Sequence, residues 1–119
     1  MKVHTALGTG FRESVYQRSL AIEMGLENLA FEQEKDMAVY YHNIKVGSRR
    51  VDFFVEDLIM VELKAVAQLE DVHVAQALNY LEAYNTQIGL LINFGSKSLT
   101  FKRLLNKKFN NYICPPILP

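Results

Sequence analysis

The chain has a single cysteine, Cys114, so no intrachain disulfide can form, and a lone thiol fits a reducing compartment. No apolar run approaches the roughly 20 residues that a membrane-spanning helix needs. The opening Met1-Lys2, followed by His4, Thr5 and a glycine-rich turn, does not have the form of a secretory leader. A cytoplasmic protein without a membrane partner is the expectation. Several chemistries lack their residues altogether. Gly8-Thr9-Gly10 has neither the lysine nor the preceding strand of a phosphate-binding loop. One cysteine and scattered histidines make no zinc cluster. No Ser-His-Asp or Cys-His arrangement can be assembled. Acidic residues are missing from Ala83 to the C-terminal end, where Lys97, Lys102, Arg103, Lys107 and Lys108 fall. Such a basic stretch either attracts phosphates or forms the solvated face of a strand and tail. The formal net charge is zero, so composition alone does not announce a nucleic-acid binder.

What is present suits one domain over residues 1–119, with half of the residues hydrophobic and neither repeat nor linker. The three prolines all lie in a tail, about 107–119, that is expected to be extended. A helix is predicted from Phe11 to Leu26. It carries two stripes at helical spacing: Phe11, Val15, Ile22 and Leu26 on one side, and Glu13, Tyr16 and Leu20 on the other. Strands are predicted over Phe31–Tyr41, Arg49–Val55 and Leu58–Ala65, with breaks at His42-Asn43 and Gly47-Ser48. A second helix, Leu69–Tyr84, has an apolar stripe of Val74, Leu78 and Leu81, with His73, Gln76, Tyr80 and Tyr84 on another face. Gln87–Phe94 reads as a buried strand and Ser98–Leu105 as an edge strand guarded by basic residues. The order predicts an α/β (α+β) fold in which a central mixed sheet is covered by two helices.

The chemistry concentrates in Asp52 and in Glu62-Leu63-Lys64. Side chains alternate along a strand, so Glu62 and Lys64 share a face and Leu63 points away. Charged groups on apolar strands are costly unless they pair or bind metal. Two carboxylates with a neighbouring lysine suit a hard divalent cation such as Mg²⁺, which keeps several waters and activates one of them against a phosphodiester. Asp52 and Glu62 are the candidate ligands, with the Leu63 carbonyl a third and Glu13 reaching the ion directly or through water. Lys64 orients the water or stabilises developing charge. Gln76 and Tyr80, four apart on one helix face, position a phosphate, and His73 contacts substrate. The two carboxylates share a face only if Val55 pairs with Ile59 across the loop Glu56-Asp57-Leu58. Pairing Val55 with Leu58 instead would send them to opposite faces. The same residues also fit a structural ion cluster, with Asp52 paired to Arg49, Arg50 or Lys64.

Gly10-Phe11-Arg12-Glu13-Ser14-Val15-Tyr16 matches the G-x-x-E-x-x-Y signature of the GxxExxY proteins, and the chain resembles that family from Val3-His4 to about Asn106. These proteins belong to the PD-(D/E)XK nuclease-like superfamily. The resemblance places Asp52, Glu62 and Lys64 on the superfamily's catalytic positions, and Glu13 and Tyr16 on the signature. Gln76 and Tyr80 look like the Gln-x-x-x-Tyr element of its RecB-like branch. It implies a restriction-endonuclease-like αβββαβ core, a Mg²⁺ or Mn²⁺ site and a nucleic-acid partner, with Tyr16 joining the substrate-positioning set. Val51 stands where the superfamily's name has Pro. The family usually carries more helix before Val3-His4, so a truncated first helix is expected, with exposed apolar surface that favours a homodimer. Two functions follow: a metal-dependent nuclease acting on DNA, or less readily on RNA, and a non-catalytic module binding nucleic acid or protein through the Lys97–Lys108 surface.

Overall fold

A computed structural model of the chain describes residues 2–110. Of the expected tail, residues 107–110 turn back so that the Asn110 amide donates to Asn85 Oδ1 at 2.9 Å. The remainder, with Cys114 and the prolines, lies outside the described residues.

The elements run α1 (Lys2–Leu7), α2 (Glu13–Leu26), β1 (Phe31–Tyr41), β2 (Ile44–Val55), β3 (Ile59–Lys64), α3 (Asp71–Ala83), β4 (Ile88–Asn93) and β5 (Thr100–Leu105). The strands form one mixed sheet in the order β1-β2-β3-β4-β5. Only β3 and β4 are parallel, joined by the α3 crossover. This is the α+β core that the resemblance implies, with α1 added. The glycine-rich turn expected near residue 8 follows this short helix instead of opening the fold. Six residues are too few to show a helical period.

Of the two stripes on α2, the one that packs is Tyr16, Leu20 and Met24. Phe11, Ile22 and Leu26 face outward, 46%, 65% and 71% exposed. Tyr16 decides the orientation. Its ring stacks on Phe94 with centroids 4.6 Å apart, and its hydroxyl donates to the Gly8 carbonyl at 2.7 Å. Asn28 ends the helix in the left-handed region, φ 59°, a conformation that asparagine tolerates.

The β1–β2 hairpin is longer than its sequence suggests. His42 and Asn43 both take positive φ and form a tight turn, Tyr41 pairs with Ile44, and β2 runs through Gly47-Ser48, which is therefore no break. A register shift between Val39 and Tyr40 accommodates Val46 opposite that point. The β2–β3 loop is the one required: Val55 pairs with Ile59, Phe54 with Met60 and Phe53 with Val61.

Two cores lie on opposite faces of the sheet. One joins Tyr16, Leu20 and Met24 to Phe53, Val61, Leu63, Ile92 and Phe94; the other joins Ala77, Leu81 and Tyr84 to Met37, Val51, Met60 and Leu91. Val51 and Phe53 thus sit in different cores, although alternation would put residues two apart on one face. The chain is wrung at Asp52, and opposite it in β1 Glu34 has φ 55°.

The ends of β3 and β4 are tied together by Asn93, which is fully buried. Its side chain accepts from the Val66 and Gly95 amides, each at 3.0 Å, and donates to the Val66 carbonyl at 2.9 Å. Gly95 lies so close to this segment that a Cβ there would stand 2.4 Å from the Val66 carbonyl oxygen. Gly95→Ala is accordingly expected to cost about 1–3 kcal/mol in urea unfolding. Gly25→Ala, in open space on α2, should gain up to about 1 kcal/mol in the same experiment.

Candidate active site

The ladder between β2 and β3 stops at Phe53–Val61. Beyond it the Asp52 carboxylate takes over the role of a ladder carbonyl, its Oδ2 accepting the Leu63 N–H at 2.7 Å. The other oxygen, Oδ1, accepts from the Gln17 side-chain amide of α2 at 2.9 Å, and Gln17 Oε1 accepts in turn from Gln33 of β1 at 3.1 Å. Asp52 and Glu62 come together as the loop geometry required. They do so through the wringing of β2 at Asp52, not through two regular side chains standing on one face.

Glu62 is buried, 5% exposed, and faces Arg49 with Oε2 3.5 Å from a guanidinium nitrogen. Its other oxygen, Oε1, is buried with no hydrogen-bond partner, and the same holds for Arg49 Nε. Burial raises the Glu62 carboxyl, and the Asp52 carboxylate beside it raises it further; Arg49 and Lys64 oppose them, and the group ends at about 8. Arg49 and Lys64 are the cations that offset the repulsion between the two carboxylates.

Glu13 opens α2 at the edge of this cluster. Its carboxyl is raised mainly by burial. Lys64, Arg49 and His73 pull it down and Asp52 pushes it up, so all four groups lie within its electrostatic reach. Lys64 closes β3, half-buried beside Asn93 of β4. Tyr80 lies beneath Arg49, its ring centroid 4.6 Å from the guanidinium carbon. Gln76 is exposed one turn earlier on α3. His73 serves the start of α3, its Nδ1 accepting from the Glu70 amide at 3.0 Å in a capping box.

Tyr16, expected in the substrate-positioning set, packs in the core under α2. It is fully buried, with its hydroxyl committed to the Gly8–Phe11 loop. In the G-x-x-E-x-x-Y pattern, the tyrosine clamps the loop that presents the glutamate. The basic residues of the C-terminal part do not form one surface either. Lys102 and Arg103 point to opposite faces of β5, Lys97 lies at the end of the sheet near Lys64, and Lys108 lies at the far end, paired with Glu82 at 3.5 Å.

A sequence model described as the PD-(D/E)XK nuclease superfamily matches residues 1–104. The chain belongs to that superfamily. No curated protein and no solved structure matches it. In this PD-(D/E)XK protein the five-stranded mixed sheet with its helices is restriction-endonuclease-like. No helix among the described residues is long and apolar enough to cross a membrane.

PD-(D/E)XK nucleases generally use divalent metals, and the donor set here can be tested for one. Among the described residues no three His, Cys, Asp or Glu side chains form a group able to hold an ion, so Glu13 does not close with Asp52 and Glu62 into a cage. The two abutting carboxylates and the unpartnered Glu62 Oε1 nevertheless fit a cation that keeps several of its own waters.

Gln17 was missed from sequence. The signal was there: a polar residue four after Glu13, on the same helix face as the buried Leu20 and Met24, carries its amide into an apolar layer for a reason.

The raised Glu62 carboxyl has a consequence for stability. In the fold it keeps its proton up to about pH 8, whereas the ordinary value is 4.5, so the folded chain binds more protons between those limits. Its contribution makes stability fall as pH rises through that window and level off above it. Glu13 acts in the same direction. Unfolding midpoints in urea from pH 5 to 9 should show this slope, and Glu62→Gln should flatten it.

Proposed function

We propose that this protein is a divalent-metal-dependent nuclease that hydrolyses phosphodiester bonds, with DNA ahead of RNA as substrate. The observation that carries the reading is the meeting of Asp52 with a buried Glu62 whose Oε1 has no donor. Both groups stand beside Lys64 at the end of the sheet where α2 and α3 converge. Asp52 and Glu62 are the residues that would hold Mg²⁺ or Mn²⁺, with the Leu63 carbonyl as a backbone donor and Glu13 through water. Bound there, the ion would neutralise phosphate charge and make a water nucleophilic near neutral pH. The Lys64 ammonium orients that water and meets the charge that develops on the phosphate. Gln76 and Tyr80 on α3 position the scissile phosphate, and His73 lies alongside for substrate. Gln17 keeps the Asp52 carboxylate turned into the site. The spacing of Gly10, Glu13 and Tyr16 supports placing the chain in the GxxExxY branch.

Calorimetric titration with Mg²⁺ or Mn²⁺ should show binding that Asp52→Ala and Glu62→Ala abolish. Labelled single-stranded and duplex DNA and RNA should then be cleaved in a metal-dependent way, with Lys64→Ala slower by about 10²–10⁴-fold. Metal binding without cleavage of any substrate would leave a non-catalytic module of the same fold. Neither binding nor cleavage, with lost stability in the variants, would reduce the cluster to a structural one. Gln17→Ala should weaken metal binding by about 10–100-fold while leaving the fold intact by circular dichroism.

A further inference from the structure

Among the described residues, Arg49 is the cation in direct contact with Glu62, and the contact has an unusual form. A buried ion pair kept for stability satisfies its remaining lone pairs and protons with further hydrogen bonds. This pair leaves one unsatisfied atom on each side, Glu62 Oε1 and Arg49 Nε. Its separation of 3.5 Å exceeds the ~2.7–2.9 Å of a charge-assisted hydrogen bond. Arg49 is better held from its other side, where the Tyr80 ring lies 4.6 Å from the guanidinium carbon. The side chain is also 34% exposed, so it has an outward path that Glu62, at 7%, lacks.

We propose that Arg49 is an internal counter-cation that competes with the divalent ion for Glu62. When the ion holds Glu62, the guanidinium turns on the Tyr80 ring toward the substrate phosphate. The inference rests on the metal-dependent reading above and adds a control on it: the site's affinity for metal is set by how firmly Arg49 is held. Two like-charged groups cannot both sit against one carboxylate without mutual repulsion. A planar guanidinium freed beside the ion matches a phosphate in a way that a point charge does not.

The experiment is a Mg²⁺ titration of the full chain by calorimetry. Arg49→Met should bind Mg²⁺ on the order of tenfold more tightly than the unsubstituted protein. Tyr80→Leu, which loosens the guanidinium from its ring, should shift in the opposite direction, because Arg49 then leans more on Glu62. Arg49→Lys, which retains the charge, should stay within about threefold of the unsubstituted protein. A second readout is the ¹⁵Nε resonance of Arg49, which should move as Mg²⁺ saturates the site. Arg49→Met affinity equal to or weaker than that of a binding-competent unsubstituted protein, or a resonance that does not move at saturation, overturns the proposal while leaving the metal reading in place. If the unsubstituted protein binds no Mg²⁺, the metal reading falls and the competition falls with it.

Discussion

One hydrogen bond organises the end of the sheet, from the Leu63 amide to the Asp52 carboxylate. A buried backbone N–H must find an acceptor, and where β2 and β3 part company the side chain of Asp52 supplies it. That substitution holds the strands together past their last paired residues. It also fixes an anionic group between them, directly beside Glu62. The cluster therefore follows from how the sheet ends: the acceptor that satisfies the backbone is the same carboxylate that meets the second acid.

Everything around this bond keeps the carboxylate there. Gln17 reaches across from α2 to hold its second oxygen and is itself held by Gln33. Glu62 lies deeper: burial raises its carboxyl and the Asp52 carboxylate raises it further, while Arg49, 3.5 Å away, opposes them. One acid is thus stabilised by directed hydrogen bonds and the other left under-satisfied. Such an asymmetry is costly in a purely structural core and useful in a site that receives a cation. Tyr16 and Asn93 serve at one remove. The first clamps the loop that carries Glu13, and the second closes the loop after β3 so that Lys64 ends against β4.

Much of this was legible in the chain. The strand and helix order follows from periodicity, and the β1 limits, Phe31 and Tyr41, coincide with the expected ones. The three-residue loop was demanded by the need to bring two carboxylates together, and Val55 does pair with Ile59. Other features were not legible, for identifiable reasons. Gly47-Ser48 looked like a break because glycine and serine mark turns, yet a hairpin twisted by a bulge accommodates them within β2. Of the two stripes on the first long helix the more apolar one, Phe11, Val15, Ile22 and Leu26, is not the one that packs, and the ring of Phe94, some eighty residues away, favours the Tyr16 side. A run of lysines and arginines looked like a surface because sequence distance was short, but a strand sends neighbours to opposite faces and its two ends far apart.

The sequence by itself determined which residues carry charge into apolar strands, their spacing, and the condition on register under which they meet, because these follow from a side-chain period of two and a loop length. The tertiary structure alone decided who satisfies whom: that Asp52 is held by Gln17 and by a backbone amide, that Arg49 rather than Lys64 is the cation against Glu62, and that Tyr16 is a clamp. Those partnerships join α2, β1, β2, β3 and α3, and depend on a wringing of β2 at one residue. No local pattern encodes that twist, because it is the compromise between two cores packed on opposite faces of one sheet.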